Sequence, residues 1–163
     1  MIEFSFMDKR EKDALLPELF TLLYENMNEI APSGEDPADE LRGWLEAVSP
    51  ALDRTERRIV LIKDDGRLVG YFQYYVNEAT FMMEEIQFER ELWGSGLFAE
   101  LYAFLRGEIP PVPFVEAYAH KLNAKSQGIL EHIGLERIGE NKNGSCFHYR
   151  GDCGEMWSRV LKK

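Results

Sequence analysis

Leu15, Leu19, Leu22, Leu23, Met27 and Ile30 recur at the three-to-four spacing of one helix face, so a helix is predicted to end near Ile30, with Pro17 leaving its start open. A Pro, Ser, Gly and Asp cluster at 32–37 reads as a loop. A second helix follows Asp36-Pro37 and carries Leu41, Trp44, Leu45 and Val48. Ile2 to Phe6 reads as a short first strand. Arg58 to Lys63 is a compact β-branched run that stops at Asp64-Asp65-Gly66-Arg67, predicting a hairpin with Leu68 to Val76. Ala79 to Phe88 reads as the next strand. After Trp93-Gly94-Ser95-Gly96 come Leu97, Phe98, Leu101, Tyr102, Phe104 and Leu105, apolar nearly all round, which predicts a buried helix ended by Pro110, Pro111 and Pro113. Phe114 to Ala119 then reads as a strand and Asn123 to Ile133 as a helix. Leu135 to Gly139 with Cys146 to Arg150 reads as a last hairpin. The predicted order is βααβββαβαββ, a mixed α/β (α+β) chain without internal repeats.

Composition narrows the class. With 163 residues, 45% hydrophobic and 29% charged, the chain is long enough for one buried core, and a single domain over 1–163 is expected. No apolar run is long enough for a membrane span, and Met1-Ile2-Glu3-Phe4 lacks the basic and apolar regions of a signal peptide, so no membrane association and a cytoplasmic location are expected. The net charge of -10 argues against nucleic acid, which needs clustered Lys and Arg, and suits a cationic partner or plain solubility. Cys146 and Cys153 match neither a metal-ligand nor a redox spacing; two reduced thiols and no metal site are expected.

The segment Trp93-Gly94-Ser95-Gly96-Leu97-Phe98 lies between a strand and a helix start. Such a turn exposes backbone N–H groups that the helix cannot use, and with the helix dipole they suit a pyrophosphate. Two glycines alone signal only a tight turn. Their surroundings add to them. Met83-Glu84-Glu85-Ile86-Gln87-Phe88 leads into the glycine turn, with Glu100 four residues after Gly96, and Asn123-Ala124-Lys125-Ser126 runs on to Leu130-Glu131-His132-Ile133-Gly134-Leu135. Together, over residues 59–150, these segments resemble the two signatures of the GNAT superfamily of N-acetyltransferases. Trp-Gly-x-Gly-x-x-x-Glu with Asn-x-x-Ser further resembles the subgroup that acetylates N-terminal amines of ribosomal proteins and some small amines.

The resemblance implies a mixed, mostly antiparallel central sheet with helices on both faces and a splay between the strands at 79–88 and 114–119, where acetyl-CoA lies. It implies that the pantetheine arm pairs with backbone at Ile86, Gln87 and Phe88. The pyrophosphate would meet the N–H groups of Trp93, Gly94, Ser95, Gly96, Leu97 and Phe98, and Asn123, with Ser126 as a further cofactor-binding residue, would reach the cofactor near the second splayed strand. From the residues alone, Asn123 and Ser126 read equally as a helix cap. Phe98 stands where most members have Gly or Ala, and Leu130 where many have a Tyr acid; the Phe98 ring either joins the core or obstructs the cofactor.

The implied activity is direct acetyl transfer from acetyl-CoA to a primary amine, a protein N-terminus or a small amine, without an acyl-enzyme. A lysine-like amine with pKa about 10.4 costs about 4.6 kcal/mol to deprotonate at neutral pH, against about 1 kcal/mol for an α-amine near 7.8, so the acceptor sets the demand on a base. Glu84, Glu85 and Glu116 are the candidate bases: Glu84 is in phase with Ile86 and Phe88 unless a bulge intervenes, and Glu116 is on the facing strand. His120, His132 and His148 read as structural or surface residues. The alternative is a non-catalytic acyl-CoA-sensing or protein-interaction module on the same fold. Acceptor identity, acyl chain length and oligomeric state, monomer or homodimer, stay open.

Overall fold

The run Ile59-Val60-Leu61-Ile62 is buried at every position, as an apolar stretch covered on both faces must be. In the computed structural model, which describes residues 1–161, it lies in strand β2 (Arg58–Asp64), antiparallel to β1 (Ile2–Phe6) with Phe4 opposite Ile62. Asp65 and Gly66 both take positive φ, the pair of left-handed residues that a two-residue hairpin with twisted strands requires, and β3 (Arg67–Val76) returns. The other strands are β4 (Thr80–Phe88), β5 (Phe114–His120), β6 (Glu136–Glu140) and β7 (Cys146–Asp152). They form one seven-stranded sheet in the order β1-β2-β3-β4-β5-β7-β6. Its pairs β1–β2, β5–β7 and β6–β7 are antiparallel, and β4–β5 is parallel. The register of β4 with β5 runs from Thr80–Phe114 to Met83–Ala117, and both strands continue beyond that pair.

Among the described residues five α-helices accompany the sheet: α1 (Lys12–Ile30), α2 (Pro37–Arg54), α3 (Leu97–Glu108), α4 (Ala124–His132) and α5 (Cys153–Val160). Helix α1 starts at Lys12 and runs through Pro17. Helix α2 begins as its sequence dictates, Asp36 accepting the Ala38 N–H at 2.8 Å with Pro37 in the first turn.

Contacts divide the chain into two compact units, and β3 and β4 pass through both. The first holds Met1–Gln73 and Glu85–Leu92. Its core gathers Met7, Leu16, Leu19, Leu52, Ile59, Leu61 and Tyr71, with Trp44, Leu45 and Val48 of α2 packed against them. The second holds Tyr74–Glu84 and the chain from Trp93 onward. There the Phe81 and Trp157 rings stack at 5.9 Å, Tyr102 meets Trp157 edge-on at 6.0 Å, and the Tyr102 hydroxyl donates to Met83 Sδ at 3.1 Å.

Two expectations are corrected. Helix α3 is not buried all round: Leu97, Leu101, Tyr102 and Leu105 are buried, whereas Ala99, Ala103 and Gly107 are exposed. Helix α5, which the sequence pattern did not predict, closes the second unit. Asp152 caps it by accepting the Glu155 N–H at 2.7 Å, the Cys153 N–H donates to Pro113 O at 2.9 Å, and Cys153, Met156 and Trp157 are buried.

Candidate active site

The glycine turn has the conformation its sequence requires. Gly94 and Gly96 have φ of 79° and 88°, a left-handed backbone that glycine takes without strain, and a Cβ at either position would meet nothing within 4 Å. Gly96 is the N-cap of α3 and brings no capping side chain. The first turn closes with Glu100 N–H on Gly96 O at 3.3 Å, so the N–H groups of Leu97, Phe98 and Ala99 stand ahead of the first intrahelical bond. Beside the turn, Lys125 Nζ lies 3.8 Å from the Trp93 ring centroid, which adds a fixed positive charge. Open main chain, donors ahead of the first helical bond and a nearby cation are features that suit an anion. Phe98 is half-buried and its ring rests on Tyr102, centroids 4.6 Å apart, so it lies along α3.

On β4 the half-buried positions Glu84, Glu85 and Ile86 follow one another, so burial does not alternate there and does not single out Glu84. Gln87 is buried. Its side chain accepts from Asn26 Nδ2 at 2.9 Å and donates to Glu85 Oε1 at 2.7 Å, while the Phe88 carbonyl accepts from the same Asn26 amide at 3.1 Å. Glu85 is thus tied to a polar chain that begins on α1, within the first unit. Burial, with the Glu85 charge adding to it, raises the Tyr71 phenol well above its ordinary range.

Asn123 caps α4, its Oδ1 accepting the Ser126 N–H at 3.1 Å, and Ser126 is half-buried in the first turn. Leu130 is buried.

Glu116 is not alone. Its Oε1 lies 2.6 Å from His148 Nε2, in the antiparallel register of β5 with β7, and both side chains are about four-fifths buried, with 18% and 20% exposure. The Tyr118 ring, 44% exposed, stacks on the imidazole with centroids 4.4 Å apart. In the tautomer protonated on Nε2, that nitrogen donates to the carboxylate and Nδ1 is left as an acceptor. Glu116 stands opposite Met82, one residue before the last registered pair of β4 with β5. The sequence reading placed His148 among structural or surface residues. His120 sits otherwise, its Nδ1 accepting the Leu122 N–H at 3.1 Å, and His132 is exposed.

No protein-family model matches the chain, and no curated protein sequence does. Solved structures do. The PaiA N-acetyltransferase of Thermoplasma acidophilum, in complex with coenzyme A, is 14% identical with a TM-score of 0.68 over 93% of this chain and 99% of that one. An acetyltransferase of Thermus thermophilus is 16% identical with a TM-score of 0.68, over 93% and 97% of the two chains. An aminoglycoside acetyltransferase in complex with coenzyme A and kanamycin is 17% identical with a TM-score of 0.63, over 95% and 96%. The chain has the GNAT fold. In that fold's terms, the glycine turn opens α3 and the Glu116–His148 pair sits by the end of the parallel β4–β5 register. Both belong to the second unit.

Among the described residues no helix is long and apolar enough to cross a membrane.

Proposed function

We propose that this chain is an N-acetyltransferase that moves the acetyl group of acetyl-CoA to a primary amine, of a protein N-terminus or a small molecule, by direct attack. The observation that carries this reading is the opening of α3 on a GNAT fold: positive-φ glycines, no side-chain cap, and leading N–H groups ahead of the first helical bond. Those features fit a pyrophosphate, and the Phe98 ring, resting on Tyr102, is compatible with it. Leu97 and Phe98 N–H groups would hold the phosphates, and backbone of β4 around Ile86 to Phe88 the pantetheine arm.

Bound acetyl-CoA supplies the thioester whose C–S bond breaks as the amine forms its C–N bond, and its thiolate takes the second proton from the amine nitrogen. The first proton is the concern of this chain. His148 Nδ1 accepts it from the incoming ammonium and passes it to solvent, while Glu116 fixes the imidazole tautomer and stabilises the imidazolium. Glu116 therefore acts through His148. Glu85, bonded to Gln87, serves as an anchor for β4 rather than as the base. An amine near pKa 10.4 must give up its proton against about 4.6 kcal/mol, so the pair matters most for such acceptors.

Thiol release from acetyl-CoA across a panel of amines tests this. We expect His148→Gln to lower kcat about a hundredfold on an alkylamine, with little change in the KM for acetyl-CoA, and to cost much less on an α-amine. Glu116→Gln is expected to follow the same split. No thiol release with any amine would overturn the transferase reading. Turnover that both variants leave intact would overturn only the role of the pair.

A further inference from the structure

Residues 141–145 join β6 to β7, and they hold a reactive pair that acetyl transfer does not use. Of the asparagines in the chain, Asn143 alone is followed by glycine, and it is exposed. Gly144 takes φ of 75°, and without a Cβ its nitrogen is open to a neighbouring carbonyl. Asn143 Oδ1 accepts from the Ser145 N–H at 3.0 Å and from the Ser145 hydroxyl at 2.6 Å. A backbone N–H can only donate, so the amide atom facing it is the oxygen and not the nitrogen. The bond to Ser145 N closes a small ring that contains both Asn143 Cγ and the Gly144 nitrogen.

Donors on a carbonyl oxygen do more than hold it. When a nucleophile adds to the carbon, the charge that develops on the oxygen meets donors already in place. Ser145 Oγ is itself fixed, because it accepts from Asn141 Nδ2 at 3.1 Å. The Asn141 amide, the Ser145 hydroxyl and Asn143 Oδ1 thus form one polarised chain. Asp65-Gly66 shows by contrast what the step requires. Both residues have positive φ, but the Met1 ammonium bonds Asp65 Oδ1 at 2.7 Å and holds its carboxyl below the ordinary range. That side chain presents an anion, which a nitrogen does not attack.

We propose that Asn143 is a site of self-modification, at which this turn converts the asparagine to isoaspartate and aspartate through a succinimide, with the Ser145 donors accelerating ring closure. The Gly144 nitrogen gives its proton to a solvent base and forms a bond to Asn143 Cγ, while Ser145 holds the oxyanion. The bond from Cγ to the side-chain nitrogen then breaks, and that nitrogen takes a proton from water and leaves as ammonia. Water opens the imide at Cγ to give aspartate, or at the main-chain carbonyl to give isoaspartate. The product carries a carboxylate in place of a neutral amide. In the isoaspartate, the main chain is also longer by a carbon inside the turn that precedes β7, the strand of His148. The step does not depend on the acetyltransferase reading.

The experiment is ageing of the protein in mildly alkaline buffer, folded and, in parallel, unfolded in guanidinium chloride. Cleavage at glutamate and mass spectrometry of the peptide 141–155 then read the outcome. We expect the folded protein to exchange –NH2 for –OH at Asn143 about tenfold faster than the unfolded chain, with none at Asn141. Isoaspartyl methyltransferase should methylate the aged peptide. Ser145→Ala removes the hydroxyl and should slow the folded protein about tenfold, whereas Ser145→Thr, which keeps it, should age like the wild type. A folded rate at or below that of the unfolded chain would overturn the proposal, because the turn would then only protect its asparagine. Exchange centred on Asn141, or a Ser145→Ala variant that ages as fast as the wild type, would overturn it too.

Discussion

Asn26 shows how one polar residue can fix a strand. It is 8% exposed on α1, and its amide donates both to Gln87 Oε1 and to the Phe88 carbonyl, while Gln87 in turn donates to Glu85. Asn26→Ala removes the donor to the buried Gln87 Oε1 and to the Phe88 carbonyl and is expected to cost about 1 to 3 kcal/mol in urea unfolding. Asn26→Leu restores volume but not donors, so it should be no better; a Leu variant as stable as the wild type would show that these bonds contribute nothing. Phe98 is a different case. Its ring is half-buried against Tyr102, so Phe98→Ala should lose about 1 to 2 kcal/mol, less than a fully buried ring would. Because the ring lies along the helix, acetyl-CoA affinity should hold within about twofold. A large gain in affinity would mean that the ring obstructs the phosphates after all.

At the scale of elements, the strands and helices whose apolar residues repeat with a clear period were legible, including the hairpin at Asp65-Gly66 and the glycine turn before α3. What failed did so for identifiable reasons. In α3, Ala99, Ala103 and Gly107 count as apolar in a pattern yet bury little, and they form its exposed side. In α5, Met156, Trp157 and Val160 are too few over eight residues to establish a period. The contact of His148 with Glu116 was not legible because the two lie 32 residues apart and only the β5–β7 register joins them. One strand contact carries a prediction. A Cβ on Gly70 of β3 would stand 2.7 Å from Phe88 Cβ and 2.8 Å from Gln87 O, so backbone would have to shift. Gly70→Ala is expected to cost about 1 to 3 kcal/mol of stability and, by moving the end of β4, to weaken acetyl-CoA several-fold. Stability lost with affinity unchanged would separate Gln87 and Phe88 from the cofactor.

At the scale of the whole molecule, the two thiols report on stability from different depths. Cys153 is 1% exposed at the start of α5, and burial raises its thiol above the ordinary range, so little reactive thiolate is present. Cys146 is half-buried on β7. In the native protein Cys146 should therefore react first with a thiol reagent, and Cys153 only when the structure opens. In a Cys146→Ser variant the labelling rate of Cys153 then follows the population of the open state, provided that reclosing outpaces the reagent. A ligand that binds only the folded chain lowers that population by the factor 1 + [L]/Kd, so acetyl-CoA, whose sulfur is blocked and does not consume the reagent, should at about a hundred times its Kd slow Cys153 labelling about a hundredfold. Mild urea should raise the logarithm of the rate linearly, with a slope set by the surface exposed on unfolding, which distinguishes global opening from fraying of α5 alone. If millimolar acetyl-CoA leaves the rate unchanged while urea raises it steeply, the glycine turn at α3 holds no such cofactor. If Cys153 labels as fast as Cys146 in buffer, the packing of Met156 and Trp157 does not hold α5 in place.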